Sequence, residues 1–64
     1  MTRRELAQVL ADAVEQVARE EAERRGFDIA TESHGLLRSM MAVLTNKELF
    51  AEAQRRAREK ANAQ

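Results

Sequence analysis

Apolar side chains along this chain recur in helical steps, and their density peaks in one place. Leu36-Leu37-Arg38-Ser39-Met40-Met41-Ala42-Val43-Leu44 carries six large apolar groups in nine residues. They stand at 36, 37, 40, 41, 43 and 44, the paired recurrence of a helix with a broad apolar face. A strand would alternate, and adjacent apolar pairs break alternation. Such a segment needs cover from its neighbours.

Upstream, Thr2-Arg3-Arg4-Glu5 matches a capping box, in which hydroxyl and carboxylate exchange hydrogen bonds with each other's backbone. Leu6, Val9, Leu10, Ala13, Val14 and Val17 then form a single helical stripe. Past Val17 the same face offers Glu20, Glu21 and Arg24, so the helix is expected to continue to Arg25 while leaving the core. Glu20–Arg24 and Glu21–Arg25 stand four apart, the spacing of a solvated ion-pair ladder. Gly26 supplies a left-handed stop, with Phe27 and Ile29 as apolar anchors of the following loop. Thr31 and Ser33 are rival caps for the second helix, and Gly35 falls in its first turn.

Thr45-Asn46-Lys47-Glu48 is a second capping-box pattern and predicts a break. A competing register exists. Leu36, Met40, Val43, Lys47, Phe50, Gln54, Ala57 and Ala61 keep heptad spacing, which suits one long helix through Thr45. A Lys and a Gln in that seam favour the break. After it, Leu49 and Phe50 are the only large apolar groups, followed by Ala53, Ala57 and Ala61. Small groups allow close approach but bury little area each, at about 25 cal/mol per Å² of apolar surface. The pattern therefore predicts an all-α single domain over 1–64: a bundle of three helices at about 3–25, 33–44 and 46–61, or a long helical hairpin.

Composition sharpens this picture. At 64 residues the chain belongs to a size class that commonly needs disulfides, metals or self-association. It has no Cys and one His, which excludes disulfides and the usual zinc sites. Leu, Ile, Val and Phe number 13 of 64, near the lower edge for a folded chain. Zero net charge and abundant Ala argue against disorder. No signal-peptide pattern or membrane-length apolar run is present, so a soluble cytoplasmic protein is expected.

Candidate chemistry is sparse. Asp28, Ser33 and His34 supply the residue types of a hydrolase triad, but no glycine-rich elbow or oxyanion signature accompanies them. An exposed His beside a helix cap is the favoured reading of His34. No phosphate-cradling loop or EF-hand spacing occurs, and neither Cys nor Tyr is available, so an enzyme is not expected and no cofactor is implied.

Two binding readings remain. Six large side chains on one short helix exceed what a one-residue-wide stripe and an Ala-rich helix can cover, so a second copy or another protein should meet the excess. Met40 and Met41 suit adaptable surfaces. The expected interface is Leu37, Met40, Met41, Leu44 and Phe50, in a homodimer acting as a small adaptor or inhibitor on a larger protein partner whose identity the residues do not name. The alternative is a nucleic-acid regulator using Arg55, Arg56, Arg58 and Lys60. Residues 46–64 carry five basic and three acidic groups, but Glu52–Arg56 and Arg55–Glu59 spacings would neutralise much of that field. No aromatic interleaving suits single strands, so nucleic acid is disfavoured. Size and layout are similar in kind to small dimeric helical regulators and to single-domain inhibitors of phages and mobile elements. No motif carries that likeness and no residue role transfers with it.

Overall fold

Local capping chemistry sets where the helices begin and end. The computed structural model describes residues 1–26, 28–29 and 34–63. Helix α1 spans Arg3–Arg24, α2 Gly35–Thr45 and α3 Lys47–Asn62. Among the described residues 84% are helical and none is in a strand. The chain is an all-α, three-helix bundle.

The first box forms as the sequence predicts. The Glu5 N–H donates to Thr2 Oγ1 at 3.1 Å, and the Thr2 N–H donates to Glu5 Oε1 at 3.2 Å. At the other end, the Gly26 N–H reaches the Glu23 carbonyl at 3.1 Å with Gly26 at φ 76°. A Cβ there would meet nothing within 4 Å, so the backbone angle, not crowding, is what calls for glycine. Phe27, expected as an apolar anchor of the loop, lies outside the described residues.

Helix α2 starts two residues later than its pattern suggested. Thr31 and Ser33 lie outside the described residues. The cap position belongs to His34, in the left-handed region at φ 63°, and its side chain makes no cap bond. Its carbonyl accepts the Arg38 N–H at 2.9 Å, closing the first turn.

The break after α2 is real, but its capping residue differs from the one expected. Thr45 ends α2, and its hydroxyl donates back to the carbonyls of Met41 and Ala42 at 2.9 and 3.3 Å. A hydroxyl used that way does not cap the next helix. Asn46 does so instead. Its backbone is extended, and its Oδ1 accepts the N–H groups of Glu48 and Leu49 at 3.0 and 3.2 Å. Its own N–H reaches the Ala42 carbonyl at 3.0 Å. One residue thus terminates α2 and starts α3, which excludes the continuous helix.

The core follows from what α1 offers. Its buried apolar residues are Val9, Ala13, Val14, Val17, Ala18 and Ala22, joined by Val43 from α2 and Ala53 from α3. The expectation that α1 leaves the core after Val17 is therefore incorrect. Ala18, Glu21 and Ala22 are buried because α2 docks on the last turns of α1. Arg38, Ser39 and Ala42 share a groove with Glu21, Ala22 and Arg25. Ala57 and Ala61 of α3 lie beside Leu6, Val9 and Leu10. Helix α2 thus packs on the last turns of α1 while α3 runs beside it from Glu20 back to Leu6, and the 22 residues of α1 at about 1.5 Å each account for the 35 Å long axis.

No Leu, Met or Phe is fully buried among the described residues; Val43 is the largest side chain that is. Valine and alanine let the helices approach closely, and Leu10, Met40, Leu49, Phe50 and Ala57 pack around that centre. Leu6 departs from the expected stripe. It remains 46% exposed, because Ala57 and Ala61 do not reach across it.

Candidate interaction surface

Helix α2 carries two apolar seams one residue apart. Leu36, Met40 and Val43 face inward: Val43 is buried, the other two half-buried. Leu37, Met41 and Leu44 stand at i, i+4 and i+7 on the outer side, each 56% exposed. Both seams come from the adjacent pairs 36/37, 40/41 and 43/44, so a helix of this sequence has an apolar side toward the bundle and another away from it.

Of the five expected interface residues, the structure brings Leu37, Met41 and Leu44 onto one open face. Met40 and Phe50 pack against the core cluster instead. Among the described residues five large apolar groups stand exposed, and the outer stripe holds three of them; the others are Met1 and Leu6.

The basic C-terminal helix is organised differently. Arg56 donates to both oxygens of Glu20, at 2.7 and 2.8 Å, and through Nε to Glu52 at 2.7 Å. Arg55 donates to Glu52 at 2.9 and 2.6 Å and also pairs with Glu59. The Glu20 bond links α1 to α3, replacing the expected Glu20–Arg24 pair. Arg24 turns to Glu21 instead, at 2.6 Å, and the expected Arg25–Glu21 pair forms at 3.0 Å.

The carboxylates respond to these cations. Hydrogen bonds from Arg55 and then Arg56 hold Glu52 down at about 2. Arg56 lowers Glu20 below the ordinary carboxylate value, chiefly through its hydrogen bonds. Arg24, followed by Arg25, does the same for Glu21, whose side chain is only 7% exposed. Arg56 is held still more firmly in its charged form, first by Glu20 and then by Glu52.

Two of the four cations of the nucleic-acid alternative are therefore committed to carboxylates. Arg58 and Lys60 are exposed and have no ion pair among the described residues.

Asp28 and His34 are exposed, and Ser33 lies outside the described residues. Among the described residues no group of three or more His, Cys, Asp or Glu is placed to hold a metal ion. None of the described helices is long and apolar enough to cross a membrane.

The sequence pattern did not single out Glu20 as an interhelical partner. Arg24 at i+4 was the nearer candidate, and only the docking of α3 decides between them. No family model, curated protein or solved structure matches the chain.

Proposed function

We propose that this chain is a non-enzymatic protein–protein interaction module that self-associates through the outer face of α2. In that form it acts as a small adaptor or inhibitor by occupying a surface on a larger partner. The observation that carries the reading is the stripe of Leu37, Met41 and Leu44 on one face of a short helix. A stripe at heptad spacing is the geometry that packs against a second helix.

Area supports a second copy as the cover. The chain exposes 4937 Å² at 7.3 kDa. Folded monomers of that mass expose roughly 4,200 Å² by the usual surface scaling. The excess, roughly 700 Å², is of the order that one partner contributes to a standard interface. A two-fold axis would set stripe on stripe, covering both with one contact.

The test is sedimentation equilibrium across micromolar concentrations. The expected result is a species of twice the 7.3 kDa chain mass, dissociated by Met41→Glu or Leu37→Glu. A stable, cooperative monomer over the whole range would overturn self-association and leave the stripe to a foreign partner.

The nucleic-acid alternative rests on Arg58 and Lys60, since Arg55 and Arg56 are paired. Binding to duplex DNA that falls steeply with salt would favour it, because phosphate binding releases counterions.

A further inference from the structure

We infer a second docking face, at the opposite end of α1, that takes an acidic amphipathic helix from another protein. It lies apart from α2 and stands whether or not the chain self-associates.

The face follows from unequal helix lengths. Helix α2 has 11 residues against 22 in α1, and it covers the last turns of α1. Among the described residues, α3 alone lies beside the first turns, so this end of the bundle is two helices wide. The line between them is an open groove of about 350 Å³. Leu6, Val9 and Leu10 form one wall, and Ala57 and Ala61 the other. A large-residue wall facing a small-residue wall leaves a trough that side chains at i, i+3 and i+4 of an added helix can fill.

Charge selects the occupant. The polar groups lining the trough are Gln54 and Arg58, and among the described residues no carboxylate does. Arg3 stands three residues before Leu6, on the same side of α1. Neither Arg3 nor Arg58 has an ion pair among the described residues. An apolar floor with the Arg58 guanidinium at its edge, and Arg3 one turn from Leu6, matches a helix with an apolar stripe flanked by Glu or Asp.

Other occupants fit less well. A second copy's α2 has no acid to set against those cations. Nucleic acid would meet an apolar floor and few cations. A lipid surface is flat where the trough is concave.

The probe is a fluorescent peptide of about 18 residues, long enough to hold a helix, with Leu at i, i+3, i+4 and i+7 and Glu flanking the stripe. Its controls are the same Leu pattern with Lys for Glu, and the Glu peptide with its Leu positions scrambled. Anisotropy should show saturable binding of the Leu/Glu peptide, weaker by about tenfold or more for the Lys peptide and for Arg58→Glu. The scrambled peptide should not bind. Ala61→Leu, which fills the trough, should also abolish binding while circular dichroism stays helical. Met41→Glu, on the other face, should leave it intact.

Equal binding of the Glu and Lys peptides would overturn the inference. So would loss of binding in Met41→Glu with Arg58→Glu unaffected, or no binding of the Leu/Glu peptide by a chain that circular dichroism shows folded. Tighter binding to phosphatidylserine vesicles or duplex DNA than to the Leu/Glu peptide, lost in Arg58→Glu, would reassign the face.

Discussion

The two seams of α2 are nearly the same in composition and opposite in fate. Leu36, Met40 and Val43 face the bundle, while Leu37, Met41 and Leu44 face away from it. Both contain a Leu and a Met at the same spacing, and the one difference is Val43 against Leu44. Hydrophobicity does not separate them. Fit does: the centre is Val14, Val17, Ala18 and Ala53, and a compact β-branched side chain allows the close approach those residues demand. The broader Leu is left at the surface, where shape is not constrained. A helix can thus carry more apolar surface than its own fold uses, and the unused part is the face proposed above for self-association.

The strongest way to break that comparison is to shorten one residue in each seam. Val43→Ala removes two methyl groups from a fully buried site and should lower unfolding free energy by about 1.5–3 kcal/mol. Met41→Ala should change the monomer by no more than about 0.5 kcal/mol, the usual range of surface positions. Urea denaturation, at protein concentrations low enough to hold the monomer, measures both. Equal losses would mean that the outer seam is covered within a single chain.

Much of this was legible before any coordinates. The Thr2/Glu5 box, the glycine stop at 26 and the break near 45 are local events, each decided by residues within one turn of each other. That α2 leaves some of its large side chains uncovered follows from counting them, which points to Leu37 with either Met41 or Met40. What the pattern missed is non-local. Ala18 and Ala22 are neither bulky nor polar, so a search for large apolar groups ends at Val17, yet their small size is what admits α2. Leu6 belonged to the stripe by spacing, but the helix opposite it carries only alanines there. Glu20 had a cation four residues away, and only the tertiary fold gives it Arg56. Met40 and Met41 are the same residue type one position apart, and which one turns inward depends on docking.

Comparing the two helix starts that have side-chain caps sharpens the distinction between a free end and a junction. Asn46→Ala and Thr2→Ala should each cost about 0.5–2 kcal/mol, the range for lost caps. Asn46 should fall at the upper end, because its carboxamide serves two N–H groups and its backbone also closes α2. Thr2 starts a helix whose first turn is solvent-exposed, where water can replace the lost bond. Thermal unfolding followed by circular dichroism would rank them. A silent Thr2→Ala would place the effective start of α1 later than Arg3. A silent Asn46→Ala would mean that packing alone holds the kink between α2 and α3.

The smallest effect expected separates the ion-paired side of α3 from its free cations. Glu52 sits at about 2 against an ordinary 4.5, and Glu20 and Glu21 are lowered in the same direction. A carboxylate whose folded value is depressed binds protons more readily when unfolded, so its contribution is fully present above the ordinary value. That contribution is lost as pH falls from about 4.5 toward 2. Stability should therefore be flat through neutrality and decline across that acidic window. Glu52→Gln should make the decline shallower and lower the plateau slightly, because Arg55 and Arg56 keep Glu59 and Glu20 as partners. Arg58→Gln, which removes a cation without a paired carboxylate, should leave the slope of the acid limb unchanged. Urea midpoints at a series of pH values measure these slopes. An acid limb as steep in Glu52→Gln as in the parent would mean that the Glu52 contacts with Arg55 and Arg56 add nothing to folding, and that the lowered carboxylates of Glu20 and Glu21 set the limb instead.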